Sequence, residues 1–323
     1  MVDIWQGLTE VPAGYGPAVV TIGNFDGVHR GHRRVLTRLV ASARERGARA
    51  VVVTFDPHPA QVHRPERAPE LIMGLQDRIE ALEAEGVDGV LVMEYTLDLA
   101  AMTAREFVQD VLVDGLHACG AVIGHDTRFG SGNSGDVDTM RELGAELGFQ
   151  VEVIDEFGTD DDGGLARRCS STWVRETLAA GDVEQAATVL GRPHRMRGEV
   201  VHGAARGREL GFPTANLSPQ ATGFVPADGI YAGWLQEESG TRWPAAISVG
   251  SNPTFEGVQR QVEAFVIGRP QERVEDFNLY GQQVVLEFVA RLRGMVAYRG
   301  PEALVEQMCL DVEQSKTLLG VRV

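Results

Sequence analysis

From residue 18 to residue 155 the chain alternates between short, continuously aliphatic runs and longer amphipathic segments, a pattern few folds accommodate. The aliphatic runs are AVVTI (18–22), RAVVVTF (49–55), DGVLVMEY (88–95), CGAVIGH (119–125) and FQVEVID (149–155). Between them lie GHRRVLTRLVASARERG (31–47), LQDRIEALEAEG (75–86), AREFVQDVLVDGL (104–116) and DTMRELGAELG (138–148), each with apolar residues at helical spacing. A strand that reads as unbroken Val, Ile and Leu is buried on both faces, and intervening helices supply the cover. The pattern predicts an α/β doubly wound parallel sheet, Rossmann-type, with ligands at the carboxyl ends of its strands.

The texture then changes. The acidic tract DEFGTDDDGG (155–164) reads as a solvated loop, and SSTWVRETLAAG (170–181) and DVEQAATVLG (182–191) read as two short helices. RPHR (192–195) marks a boundary near residue 190, giving domains of 1–188 and 189–323. Beyond it RGEVVHG, GIYAGWLQ, WPAAISVG, VEAFVIG and VVLEFVARLRG alternate like strands between Gly, Pro and Asn turns. They predict an antiparallel β-barrel, followed by an amphipathic helix over 301–319 entered at Pro301.

Bulk properties narrow the function classes. A net charge of −16 argues against a nucleic-acid partner, which needs a basic footprint. No apolar run approaches the roughly 20 residues of a membrane span, and the N-terminus shows no secretory pattern. Cys119, Cys169 and Cys309 lack CxxC spacing and read as reduced thiols, so a cytoplasmic protein is expected. Lys316 is the sole lysine, leaving basic work to arginine, whose planar fork suits phosphates. Self-association is left open.

Four motifs sit at strand ends or helix starts. In TIGNFDGVHRGHRRVL (21–36), Gly27 and Gly31 permit close backbone approach, and the following helix favours an anion beside His29 and His32. A metal site would need a third ligand, such as Asp56 or His58, and a plain structural loop is the third reading. TFDPHP (54–59) offers Phe55 as a flat apolar surface beside Pro57 and His58; a simple strand-exit turn is the alternative. GHDTRFG (124–130) offers Asp126 and Arg128 as partners for a ribose hydroxyl and a phosphate. CSSTWVRETL (169–178) puts Ser170, Ser171 and Thr172 at a helix start and Arg175 one turn in, either an N-cap cluster or a polyphosphate clamp.

These motifs, in this order, resemble the prokaryotic bifunctional riboflavin kinase/FAD synthetases. The resemblance continues through RGEVVHGAARGRELGFPTANL (197–217), GIYAG, NPTF, VEAF and LYG, and so spans nearly the whole chain. It implies a first half that transfers AMP from ATP to FMN, giving FAD and pyrophosphate, and a second half that phosphorylates riboflavin to FMN with ATP. It implies a nucleotide site built from Gly23, Asn24, Asp26, Gly27, His29, Gly31, His32, Asp126, Arg128, Ser170, Ser171, Thr172 and Arg175. Phe55, Pro57 and His58 would border the flavin. In the second half Gly203, Gly207, Gly211 and Pro213 would shape a phosphate cradle, Thr214 and Asn216 would hold Mg²⁺, and Glu263 would be the catalytic base. A second Mg²⁺ is expected on the ATP of the first half. The sequence departs from the family pattern at Thr127, at Cys169, near Gly268 and in RPQERVED (269–276). Two alternatives are a chain with one live half and a regulatory partner half, and a non-enzymatic flavin or nucleotide binder.

Overall fold

A computed structural model describes residues 2–155, 167–203, 212–254, 257–268, 279–296 and 300–321, with backbone alone for 251–254 and 257–259. Gly207, Gly211, most of the acidic tract and the RPQERVED stretch lie outside these residues. Backbone packing divides the chain into two units, Met1–Glu70 with Leu75–Ser170, and Leu71–Gly74 with Ser171–Val323.

The first unit runs β1 (Asp3–Gln6), β2 (Ala18–Ile22), α1 (Arg30–Arg46), β3 (Arg49–Asp56), α2 (Pro59–His63), α3 (Leu75–Glu83), β4 (Gly89–Glu94), α4 (Leu97–Ala101), α5 (Ala104–Glu106, continuing as a wider π-helix over Phe107–Gly115), β5 (Ala118–Gly124), α6 (Val137–Leu147) and β6 (Gln150–Ile154). The sheet has six strands in the order β1-β4-β3-β2-β5-β6, and every neighbouring pair is parallel. All five residues of β2 are buried, as continuous aliphatic character requires of a central strand covered on both faces. Helix α1 buries Leu36, Leu39, Val40 and Ala43, one stripe at helical spacing, and stops at Gly47 in the left-handed region. The core between sheet and helices holds Val20, Val51, Val53, Leu91, Phe107, Leu112, Ile123 and Met140.

The strand order places the ligand site. From β2 the chain winds outward through β3 and β4, then returns to add β5 and β6 on the other side. The connections after β2 and β5 therefore leave in opposite directions, opening a crevice at their carboxyl ends. The loops that follow, 23–29 and 125–129, carry two of the four motifs.

The second unit holds α7 (Ser171–Ala180), α8 (Val183–Leu190), β7 (His194–Val201), β8 (Thr214–Leu217), β9 (Gly229–Glu237), β10 (Arg242–Thr254), β11 (Gly257–Val266), β12 (Gln283–Arg293) and α9 (Pro301–Leu319). Its six strands close into an antiparallel barrel in the order β10-β11-β8-β7-β12-β9. Two arginines at the end of β12 fasten the flanking helices. Arg291 donates to the Ala180 carbonyl at 3.0 Å, and Glu184 accepts its backbone N–H at 3.1 Å. Arg293 forks onto the buried Asp311 of α9 at 2.9 and 2.6 Å. The α/β sheet, the barrel and the final helix all match the sequence expectation. Strands β1 and β8 and the short helices α2 and α4 lie outside it.

Candidate active sites

In the first unit, the loop after β2 bends sharply. Phe25, Gly27 and Val28 all have positive φ (49°, 89° and 39°), so the backbone curls before entering α1. Asp26 and His29 are buried within this curl, with Gly23 and Asn24 at its start. His29 is the N-cap of α1, and its Nδ1 accepts the His32 backbone N–H at 3.3 Å. That bond requires an unprotonated Nδ1, so the ring's proton sits on Nε2, which is then a donor.

The His29 and His32 rings stack with centroids 3.7 Å apart and planes 16° apart, and Phe25 meets His32 edge-on at 5.1 Å. Gly31 makes the stack possible: a Cβ there would stand 3.1 Å from His29 Nδ1 and 3.2 Å from Cε1. The first turn of α1 carries no acidic residue, only Arg30, His32 and Arg33 beside Gly31. That charge pattern opposes the helix dipole and costs helix stability, but it suits a bound anion.

The β3 exit lies beside the β2 exit. Phe55 contacts Tyr95 edge-on at 5.6 Å and Phe107 at 6.4 Å, and Tyr95 is 2.9 Å from His63 Nε2 through its hydroxyl. Burial pushes the Tyr95 phenol above its ordinary pKa. His58, past Pro57, caps α2 reciprocally. Its Nδ1 accepts from the Ala60 N–H at 3.1 Å, and its backbone N–H donates to Gln61 Oε1 at 3.0 Å.

After β5, Asp126 forms an ion pair with Arg168 and Arg128 donates to the Thr127 carbonyl at 3.0 Å; the Asp126 and Arg128 side chains both reach solvent. Ser170 follows the buried Cys169, which packs under the start of α1 near Gly31. Burial pushes the Cys169 thiol up, against the opposing pull of Arg30 and the Gly31 N–H. Ser171, Thr172 and Arg175 lie in the first turns of α7 and belong to the second unit. Among the described residues no three His, Cys, Asp or Glu side chains converge as metal ligands, so the metal reading of the two histidines finds no third ligand.

Two contributors do not stand out in the sequence. Arg168 is one charge beside the hydroxyl cluster it precedes. Arg78 of α3 is buried and reaches the backbone of both the β2 and β3 exits. Its only sequence signal is a charge beside Leu75, Ile79 and Leu82, on a helix that reads chiefly through its apolar stripe.

In the second unit, β8 and β11 bring the barrel motifs together. Glu263 stands opposite Asn216 in the ladder, and the Thr214 hydroxyl donates to its Oε2 at 3.2 Å. Asn216 Nδ2 donates to the Thr214 carbonyl at 3.2 Å. β8 alternates, with Ala215 and Leu217 buried and Thr214 and Asn216 half-buried on the other face, next to Pro213. Gly203 approaches so closely that a Cβ there would lie 2.5 Å from the Asn216 amide carbon. Beyond it, His202 stacks on Tyr280 with centroids 3.8 Å apart. Two neutral oxygens beside one carboxylate form a hard donor set, suited to a cation that keeps waters and phosphate oxygens as its other ligands.

Comparison with known proteins covers both halves of the chain. Residues 12–168 match the family model described as FAD synthetase, and residues 190–319 match that described as riboflavin kinase. The chain is 33% identical over 303 residues to a bifunctional riboflavin kinase/FMN adenylyltransferase of Escherichia coli K12, covering 94% of this chain and 93% of that one. It is 36% identical over 316 residues to its counterpart in Pseudomonas fluorescens, covering 97% and 96%. A crystal structure described as a macrolide-efflux protein from Streptococcus pneumoniae superposes with a TM-score of 0.82 at 28% identity, over 98% of each chain. Among the described residues of this chain no helix is long and apolar enough to cross a membrane. The chain belongs to the bifunctional riboflavin kinase/FMN adenylyltransferase family.

Proposed function

We propose that residues 1–188 transfer the adenylyl group of ATP to FMN and that residues 189–323 phosphorylate riboflavin. For adenylyl transfer, the observation that carries the reading is the stacked His29–His32 pair at the N-terminus of α1, in the crevice between β2 and β5. An FMN phosphate oxygen attacks the α-phosphorus of ATP, and the bond from that phosphorus to the β-bridging oxygen breaks, releasing pyrophosphate. The attacking phosphate is already ionised at neutral pH, so no strong base is needed, and alignment and charge stabilisation do the work. His29 donates through Nε2 to a phosphate oxygen, with His32 as its neighbour. Asp126, Arg128 and Ser170 serve the nucleotide, and Phe55, Pro57 and His58 border the flavin. Ser171, Thr172 and Arg175 are assigned to the nucleotide on the family resemblance, Arg175 stabilising charge.

In the barrel, Glu263 accepts the proton of the riboflavin 5′-hydroxyl as its oxygen attacks the γ-phosphorus of ATP, and ADP leaves. Thr214 and Asn216 would hold Mg²⁺, which when bound neutralises phosphate charge. The Thr214 hydroxyl also orients Glu263, and Gly203 keeps backbone close to Asn216.

The test is to supply riboflavin, ATP and Mg²⁺ and follow flavins by chromatography. FMN should appear first and FAD second. Absence of FMN overturns the kinase assignment, and FMN accumulating without FAD overturns the adenylyltransferase assignment.

A further inference from the structure

Arg78 occupies an unusual place for a cation. It projects from α3 beneath the sheet's carboxyl edge with its side chain 4% exposed. Nη1 donates to the Asn24 carbonyl at 2.9 Å, the Phe55 carbonyl at 3.0 Å and Thr54 Oγ1 at 3.3 Å. Nη2 donates to Asp56 Oδ1 at 3.3 Å, and Thr54 Oγ1 in turn donates to the same Asn24 carbonyl at 3.3 Å. One guanidinium therefore ties the first loop residues after β2 to the last residues of β3. The first of these loops leads to His29, and the second to Phe55 and Pro57.

Burying such a charge is costly, and the cost is visible. Burial pulls the Arg78 pKa below the ordinary arginine range, against Asp56 and Asp26, which favour the charged form. A sheet edge needing only glue would be served by an apolar side chain at lower cost. What a guanidinium adds is direction: Nη1 holds two carbonyl oxygens while the planar fork aims Nη2 at the Asp56 carboxylate, all in one geometry.

The geometry points to Arg78 as a positioning residue for adenylyl transfer: by bridging the Asn24 and Phe55 carbonyls it sets the spacing between the loop that carries the His29–His32 pair and the loop that carries Phe55. Its side chain, 4% exposed, acts through these loops rather than on substrate. Its effect falls on kcat, because misalignment by a fraction of an ångström lowers the population of reactive geometries while leaving most ground-state contacts in place. This inference rests on the adenylyltransferase reading above. Wild-type conversion of FMN to FAD tests that reading, and the variants below test Arg78 separately.

The experiment compares wild type, Arg78→Ala and Arg78→Lys, each given FMN, ATP and Mg²⁺, with kcat and both KM values measured. Arg78→Ala is assayed again with guanidinium ion added at concentrations that leave the wild-type melting curve unchanged. The expected order of rising kcat is Arg78→Ala, then Arg78→Lys, then wild type. The alanine variant should lie at least tenfold below wild type, with KM values changed less than threefold. Lysine restores the charge but not the fork, so it recovers only part, and free guanidinium raises the alanine variant by refilling the vacated space. A different order, a loss confined to KM, or no response to guanidinium overturns the proposal. Should Arg78→Ala fail to fold, Arg78→Lys decides: a kcat below wild type supports the proposal, and one equal to wild type overturns it.

Discussion

Gly31→Ala separates the helix from the chemistry it carries. Gly31 does not sit in the left-handed region, so alanine costs no backbone strain there, and the question is one of space. The new methyl would stand 3.1 Å from His29 Nδ1 and 3.2 Å from Cε1, against 3.6 Å from Cys169 Cβ. Comfortable contact between heavy atoms is about 3.5–4.0 Å, so the imidazole must retreat by roughly 0.4 Å or more. It cannot retreat through His32, stacked at 3.7 Å. Retreat also stretches the 3.3 Å cap from the His32 N–H.

Losing much of a cap costs about 1 kcal/mol, and replacing glycine by alanine in a helix returns up to about 1 kcal/mol. Net stability should hardly move. Activity should move, since removing a whole transition-state donor costs about 10²–10³ in rate. A displaced donor loses part of that, and we expect roughly a tenfold fall in FAD formation, about 1.4 kcal/mol. The assay is FAD formation from supplied FMN, paired with thermal melting. An unchanged rate would show that the His29 ring position does not govern transfer. A melting temperature lowered by many degrees would show that Gly31 serves the helix itself.

Gly203→Ala should depress riboflavin phosphorylation, because its Cβ would lie 2.5 Å from the Asn216 amide carbon; adenylylation of supplied FMN should be untouched. Glu152 makes a prediction about pH. Its burial raises its pKa, but hydrogen bonds from Arg38, Ser42 and Arg46 outweigh that and bring it to about 2. A depressed carboxylate stabilises the fold above its unfolded value of about 4.3 and loses that contribution as pH falls towards its folded value. Melting curves of wild type and Glu152→Gln should therefore differ at neutral pH and converge from about pH 4 downward; a constant gap would contradict the cause assigned.

How much is legible in the sequence depends on where the information lies. The central strands announce themselves because burial on both faces demands unbroken aliphatic sequence, as in AVVTI. β1 does not, because DIWQ buries only Trp5 and offers neither alternation nor a run. The barrel strands alternate and are readable, except β8, where four residues bearing Thr214 and Asn216 read as a motif before they read as a strand. The His pair is legible as a candidate anion loop from its place between strand and helix. That Gly31 gives way to a folded-back His29 ring is not, because the contact is between neighbours on one turn rather than along a pattern. Arg78 is least legible: a single charge on an amphipathic helix belongs by default to the solvent face, and only the third dimension puts it beneath two loops. His58 shows the reverse, a residue singled out for ligand binding that the structure also employs as a helix cap.

The proposed function divides the labour, with the His29–His32 pair serving adenylyl transfer and Glu263 serving riboflavin phosphorylation. The most direct measurement takes two full-length variants, His29→Ala with His32→Ala, and Glu263→Ala, and assays each for FMN from riboflavin and for FAD from supplied FMN. The double histidine variant should still make FMN but no FAD, and Glu263→Ala should make FAD from supplied FMN but no FMN from riboflavin. A folded variant that loses both activities, or keeps the one its substituted residue is assigned to, would overturn this division of labour.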